Sequence, residues 1–281
     1  MPFIPIGAHG LQVLAALESI RPAAHPVHPI DLLVAESPTL RRPALLKHVS
    51  DREIEDAMIE RQQVHSDGYA LLRQAIPAES LDELRAVFDA GVKPSSQWPV
   101  PRGMDWRHSM LDLDPGVQAV CRLPALLAVV GALIGERFFL AQVEGREPLA
   151  GGGHQRLHRD LSAQRPGDMA IALAFLDDYG PDNGATRIVP GSHRPVPDEP
   201  PFDFNDESRS VQLAGAAGDI LVLDVDLVHG GSLNLLGARR RTLLISYFAE
   251  PLYDYHQETA HLRGVRMDAS ERFTPNELAA S

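Results

Sequence analysis

The rhythm of hydrophobic and polar positions changes once along the chain, near Gly135. Before it, apolar residues recur at helical spacing. The stretch DREIEDAMIERQQVHSDG (51–68) predicts a helix closing on Gly68 as its left-handed terminating residue. YALLRQAI (69–76) reads as a short strand. Ser80-Leu-Asp-Glu83 then has capping-box spacing and opens a helix with Leu81, Leu84, Val87 and Phe88 on one face. Residues 91–116 read as loop, and an apolar helix is expected around 117–133.

After Gly135, short apolar runs separated by turn residues take over: RFFLAQVE (137–144), DMAIALAFLDD (168–178), ATRIVPGS (185–192), RSVQLA (209–214), DILVLDVDLVHG (219–230) and RTLLISYFAE (241–250). No segment between them is long enough for a crossover helix. The expected fold is therefore mainly β, a sandwich or barrel with flanking helices from the N-terminal part. The expected organisation is an N-terminal arm over 1–50, a single domain over 51–254 and a peripheral polar tail over 255–281.

A chain of 281 residues can bury a sizeable core. Acidic side chains outnumber basic ones by 38 to 26, and no stretch concentrates lysine or arginine on a helix. This disfavours nucleic acid and anionic membranes as partners and leaves a small molecule as the expected one. The longest apolar run (123–135) is too short to span a bilayer, and the first residues lack the pattern of a signal peptide. A cytoplasmic location is expected. Cys121, the only cysteine, lies in an apolar run, so it reads as a core residue, with no disulfide and no cysteine-based metal site.

Twelve histidines direct attention to metal-ligand spacings. On an extended strand, residues i and i+2 share a side, so His-x-Asp or His-x-Glu brings an imidazole and a carboxylate to one ion. Three such pairs occur, against one or two expected by chance from the composition. His65/Asp67 ends a predicted helix, and His256/Glu258 lies past the last strand. His158/Asp160 follows a glycine-rich turn (151–153) and leads into a strand, where a barrel mouth is expected. A third ligand must come from a distant strand. His229 ends an apolar strand and is followed by Gly230-Gly231, which allows a tight turn. His154 is disfavoured because the neighbouring glycines argue against the helix it would need.

Two histidines and one carboxylate form the facial triad of non-haem Fe(II) sites, with positions left for a chelating co-substrate and dioxygen. The same ligands suit catalytic Zn(II), so the triad alone does not name the metal. Arg240, eleven residues after His229 at the start of the next strand, is placed to grip the far carboxylate of a dicarboxylate such as 2-oxoglutarate. A Zn(II) hydrolase would leave Arg240 without a task. A catalytically silent ligand-binding barrel would have no reason to bury four polar groups.

In order, the motifs HRD (158–160), NGATRIVPGSH (183–193), GD (218–219), HG (229–230) and Arg240, with Tyr247 seven further on, resemble the phytanoyl-CoA dioxygenase family of Fe(II)/2-oxoglutarate oxygenases. The likeness covers roughly 65–250. It implies a double-stranded β-helix, a jelly-roll barrel like that of cupins, with His158, Asp160 and His229 on Fe(II) and Arg240 on 2-oxoglutarate. It further implies Gln142 and Thr186 as co-substrate contacts, and O2-dependent oxidation of a small organic metabolite with release of succinate and CO2. Because Asp160 is a carboxylate, halogenation is disfavoured, since related halogenases carry a small residue there. Two departures stand out. Gly231 replaces the small hydroxyl residue expected two after the distal histidine, and Leu173 or Phe175 stands for an aromatic expected before the NG block.

Overall fold

The computed structural model describes residues 51–160, 167–194 and 200–275. The expected N-terminal arm lies outside the described residues. Helix α1 (Asp51–Asp67) ends at Gly68, whose φ of +80° is the left-handed conformation the sequence reading requires. Strand β1 (Tyr69–Leu72) follows, then α2 (Leu81–Gly91), which buries Leu81, Leu84 and Phe88. The capping box does not form: Ser80 is already helical, the last residue of a 3-10 turn, and its hydroxyl caps nothing.

The stretch expected as loop contains two strands, β2 (Val92–Lys93) and β3 (Trp106–Ser109). The single helix expected next is two, α3 (Pro115–Val120) and α4 (Pro124–Ile134), because Pro124 cannot continue a helix and starts a new one instead. The remaining strands are β4 (Phe138–Pro148), β5 (Met169–Phe175), β6 (Thr186–Ile188), β7 (Val211–Gln212), β8 (Ile220–Asp224), β9 (His229–Gly231) and β10 (Thr242–Ala249). The run 219–230 is thus split into β8 and β9.

All strand pairs are antiparallel. Seven strands form one sheet in the order β1-β8-β5-β10-β4-β3-β2, and β7-β6-β9 form a second. This is a mainly β, double-stranded β-helix. The outer face of the large sheet presents Ala70, Leu72, Ala170, Ala172, Ala174, Val222, Leu243 and Ile245, and α2, α3 and α4 bury their apolar residues in the same cluster. Three alanines on β5 leave room for α4, whose apolar residues face this sheet. The inner face presents Phe139, Ile171, Leu221 and Leu223 to Ile188 of the small sheet.

Within β4 the alternation is broken. Ser246 pairs with Gln142 but Tyr247 pairs with Leu140, so Ala141 is an extra residue, a β-bulge. Phe138 and Leu140 thereby face the helices while Phe139 and Ala141 face inward. Past the bulge, Gln142, Glu144 and Arg146 continue the inner face.

The segment expected as a peripheral tail is built into the core. Helix α5 (Tyr253–Thr259) buries His256 and Thr259, and Phe273 pairs its backbone with Phe138 and stacks near its ring. No helix among the described residues is long and apolar enough to cross a membrane. Cys121 is buried.

Candidate active site

The inner faces of the two sheets enclose a cavity of about 70 Å³. Its lining includes His158, Asp160, His229, Arg240, Thr186 and Arg146.

His158 and His229 are held side by side by an isolated bridge, with backbone hydrogen bonds of 2.8 and 3.0 Å between them. Each ring donates its Nδ1–H to a carbonyl two residues back: His158 to Arg156 at 2.7 Å, His229 to Leu227 at 2.9 Å. A carbonyl only accepts, so the tautomer is fixed and both Nε2 lone pairs point into the cavity. Those Nε2 atoms lie 3.4 and 3.6 Å from the two oxygens of Asp160. The three ligand atoms sit within 4.8 Å of one another, the one such group among the described residues. Burial works against the Asp160 charge, but His229, His158 and Arg146 outweigh it and hold the carboxyl well below its usual range. It is an anion at any working pH, as a metal ligand must be.

Arg159, between two of these ligands, anchors the turn. Its Nε donates to the Asp226 carbonyl at 2.7 Å and its Nη2 to that of Ser192 at 2.8 Å. Ser192 Oγ in turn accepts from the Val228 amide at 2.9 Å, which fixes the approach to His229. The PGSH block is therefore scaffolding for the ligands.

The other histidine pairs do not converge. His65 is exposed and offers only its backbone carbonyl, to His193. His154 is exposed. His256 is buried against Phe139 and Arg263 while Glu258 is exposed.

Arg240 is 4% exposed. Its guanidinium carbon sits 4.6 Å over the Tyr179 ring and 5.5 Å from that of Trp106. Burial pushes its pKa down, with Tyr179 and Glu147 opposing. No carboxylate among the described residues is within ion-pair distance of it. Arg240 Nε and Thr242 Oγ1 are both buried without a hydrogen-bond partner. A desolvated guanidinium with unused donors in a ligand-sized cavity is complementary to a carboxylate. The neighbours face away: Arg239 binds Glu147 and Asp89, and Arg241 binds Asp177 and Asp89.

Thr186 lines the same cavity, its hydroxyl 2.5 Å from Tyr179 Oη. Gln142 does not: its amide is taken by Glu144 and Arg263, further along the inner face of β4. Arg146, four residues on along the same face, lines the cavity in its place. Besides Arg146, two contributors escaped the sequence reading. Tyr179 is the aromatic that was sought at 173 or 175; Phe175 stacks beneath it at 3.9 Å. Its signal was its place four residues before the Asn183-Gly184 turn. Asn234 is 1% exposed and ties the loop between His229 and Arg240 to Pro148, Ala238 and Gly237. Tyr247 faces the helices, donating to the Cys121 carbonyl.

Gly231 is explained by contact. A Cβ there would lie 2.5 Å from the Gly153 carbonyl oxygen, so no hydroxyl side chain fits.

A jelly-roll fold whose mouth carries two histidines and an aspartate is the arrangement of a non-haem metal enzyme. Within that class, residues 64–242 match the family model described as Phytanoyl-CoA dioxygenase (PhyH), and the chain belongs to this family. A relative, the Fe(II)/2-oxoglutarate-dependent dioxygenase nvfF of Aspergillus novofumigatus, is 39% identical over 89 residues, 28% of this chain and 28% of that one. The L-proline trans-4-hydroxylase of Streptomyces griseoviridis is 27% identical over 176 residues, 50% of this chain and 65% of that one. The chain thus spans less than two thirds of the length of either relative. HygX of Streptomyces hygroscopicus, solved with nickel and 2-oxoglutarate, shares the fold at 17% identity with a TM-score of 0.56, covering 68% of this chain and 87% of that one. The epimerase SnoN in complex with Fe3+, alpha ketoglutarate and nogalamycin RO does so at 17% identity and 0.54, covering 79% and 96%.

Proposed function

We propose that this chain is an Fe(II)- and 2-oxoglutarate-dependent dioxygenase that oxidises a small organic molecule and releases succinate and CO2. The observation that carries the reading is Arg240, buried with unused donors and no carboxylate partner, in the same cavity as a complete His-Asp-His set. A Zn(II) hydrolase gives that cation no task. His158, Asp160 and His229 would hold Fe(II), which with O2 and 2-oxoglutarate supplies the oxidising chemistry.

The chain's own residues prepare the site. The carbonyls of Arg156 and Leu227 keep both imidazoles aimed inward, and Asp160 supplies the anionic ligand. Arg240 and Thr242 bind the distal carboxylate of 2-oxoglutarate, with Tyr179 and Thr186 fixing the arginine's position. Arg146 takes the role first given to Gln142, a polar contact from β4 on the metal side of the cavity. Ile171, Leu173, Leu223 and Leu244 exclude water from the rest of the wall. A buried free thiol suits a reducing, cytoplasmic setting.

Anaerobic addition of Fe(II) and 2-oxoglutarate to the purified chain tests the reading. A visible metal-to-ligand charge-transfer band is expected, and His158→Ala, Asp160→Ala and His229→Ala each abolish it while the far-ultraviolet circular dichroism stays native. His65→Ala and His154→Ala keep it. A Zn(II) hydrolase or a silent binding barrel gives no band.

A further inference from the structure

The inner face of β4 continues beyond the metal centre. In register down β10, Thr242 pairs with Arg146, Leu244 with Glu144 and Ser246 with Gln142. Arg240 precedes Thr242, so Glu144 and Gln142 lie toward the opposite end of this face from the residue assigned to the co-substrate carboxylate.

This end of the wall is positively charged, in a chain whose net charge is −12. Glu144 is buried and accepts from Arg146 Nε at 2.6 Å and from Arg102 Nη2 at 2.8 Å. Gln142 donates to it at 3.3 Å and passes the contact on, its Oε1 accepting from Arg263 Nη1 at 2.9 Å. The other side-chain hydrogen-bond contacts of Arg263 are His256 Nδ1 and Thr259 Oγ1, both neutral groups. Burial pushes the His256 imidazole down to about 4, so it adds no charge of its own at neutral pH. Among the described residues, Glu144 is thus the one carboxylate that Arg102 and Arg146 hydrogen-bond directly and Arg263 reaches through Gln142, while Arg146 also acts on Asp160.

Unused donors gather at the same place. Arg102 Nε and Trp98 Nε1 are donors buried without partners, and the neutral His108 ring beside them leaves its one N–H unused as well. Arg102 lies 4.5 Å over the Trp98 ring, and His108 pairs in register with Arg146. A small recess lined by Trp98, Asp112, Gln142, Glu144 and Arg263 opens there, and the charge of Asp112 is met by its own partner, Arg266. Surplus cations and unsatisfied donors taken out of water are relieved by an anion that accepts several hydrogen bonds.

We infer that the prime substrate carries a carboxylate, seated against Arg102 and Arg263 on the side of the metal centre away from Arg240. The inference rests on the oxygenase reading above. A guanidinium fork matches the two oxygens of a carboxylate, and a phosphate ester would answer the same cations, so the test separates them.

Succinate formation by the Fe(II)-loaded full chain at saturating 2-oxoglutarate is measured with matched sets of small molecules. Each set holds a carboxylic acid on a straight, cyclic or aromatic skeleton, its methyl ester, its carboxamide, and a phosphate monoester of the same skeleton. Stimulation is expected from acids, weakened about tenfold or more in the ester and amide. Arg263→Met is expected to raise the half-saturating concentration of the best acid about tenfold or more, with the 2-oxoglutarate charge-transfer titration unchanged. Arg263→Lys should recover part of the loss. Arg102→Met is a second arm, and the ester comparison on the unaltered chain needs neither variant. Equal stimulation by ester and acid, a preference for the phosphate ester, or no response to any acid overturns the inference. Absence of the charge-transfer band itself would instead mark failure of the oxygenase reading, and the inference would fall with it.

Discussion

Arg239, Arg240 and Arg241 are chemically identical, and only the side each faces distinguishes them. Two are neutralised by Asp89, Glu147 and Asp177 on the outside, and one is buried over Tyr179. Arg240→Ala is expected to weaken 2-oxoglutarate binding at least tenfold, since a desolvated charge-assisted contact is worth on the order of 2–5 kcal/mol. Arg239→Ala and Arg241→Ala should bind it normally in the same charge-transfer titration. A larger defect at Arg241 would show that the inward residue is not Arg240. Gly231→Ser is expected to lose metal binding although serine is common chemistry for such a position, because its Cβ meets the Gly153 carbonyl at 2.5 Å, beside the His229 bridge. At this scale the sequence was informative where function fixes spacing. His158-x-Asp160 must share a strand side, and the distal histidine and arginine must bracket one turn. It marked Tyr179 only by its place before the Asn183-Gly184 turn and was silent on Arg146, whose role depends on which residues β10 brings opposite it.

Strands and helices were legible in the sequence wherever apolar residues form a helical stripe or an unbroken run. The runs that became β5, β8 and β10 read directly because a strand in the centre of a sheet is buried on both sides. β4 was legible as a strand but not in its facing. The extra residue Ala141 switches which side chains point inward, and nothing in RFFLAQVE marks a bulge. β3 was missed because a four-residue strand containing Arg and His looks like loop until β4 is there to pair with it. The C-terminal segment was misread as peripheral for a related reason. Its few apolar residues, Ala269 and Phe273 among them, are separated by polar ones, yet they land on Phe138 and Phe139. Phe273→Ala should therefore lower stability by about 3 kcal/mol, the cost of truncating a buried aromatic ring. The measurement is a urea unfolding midpoint, and a shift no larger than that of a surface substitution would put the segment back outside the core.

For the molecule as a whole, the charged wall beside the metal centre sets how folding responds to acid. Burial, reinforced by the charges of Arg146 and Arg102 against the opposing pull of Glu144, pushes the His108 imidazole down to about 4. Burial, with Arg263 and Arg272, does the same to His256. Both rings bind a proton less readily in the folded chain than in the unfolded one, where the value is about 6.5. Below that value the unfolded state takes up protons that the native state refuses, so stability falls as pH drops from about 6.5 to 4 and levels off beneath. The full effect at His108 is on the order of 3 kcal/mol. Glu144 acts in the same direction lower down. Burial opposes its charge, but Arg146 and Arg102 hold it at about 2, so its contribution is present at neutral pH and lost as acid passes below the ordinary carboxylate range. The two steps are separable by substitution. His108→Phe keeps a ring of similar shape against Trp98, 5.9 Å away, and removes one proton-binding site from the unfolded chain. Its urea midpoint should depend on pH less steeply than that of the unaltered protein between 6.5 and 4, with an acid limb still present below 4. An unchanged slope in the upper window would mean that His108 is protonated in the folded chain, and the wall around Glu144 would then carry even more positive charge than its arginines supply.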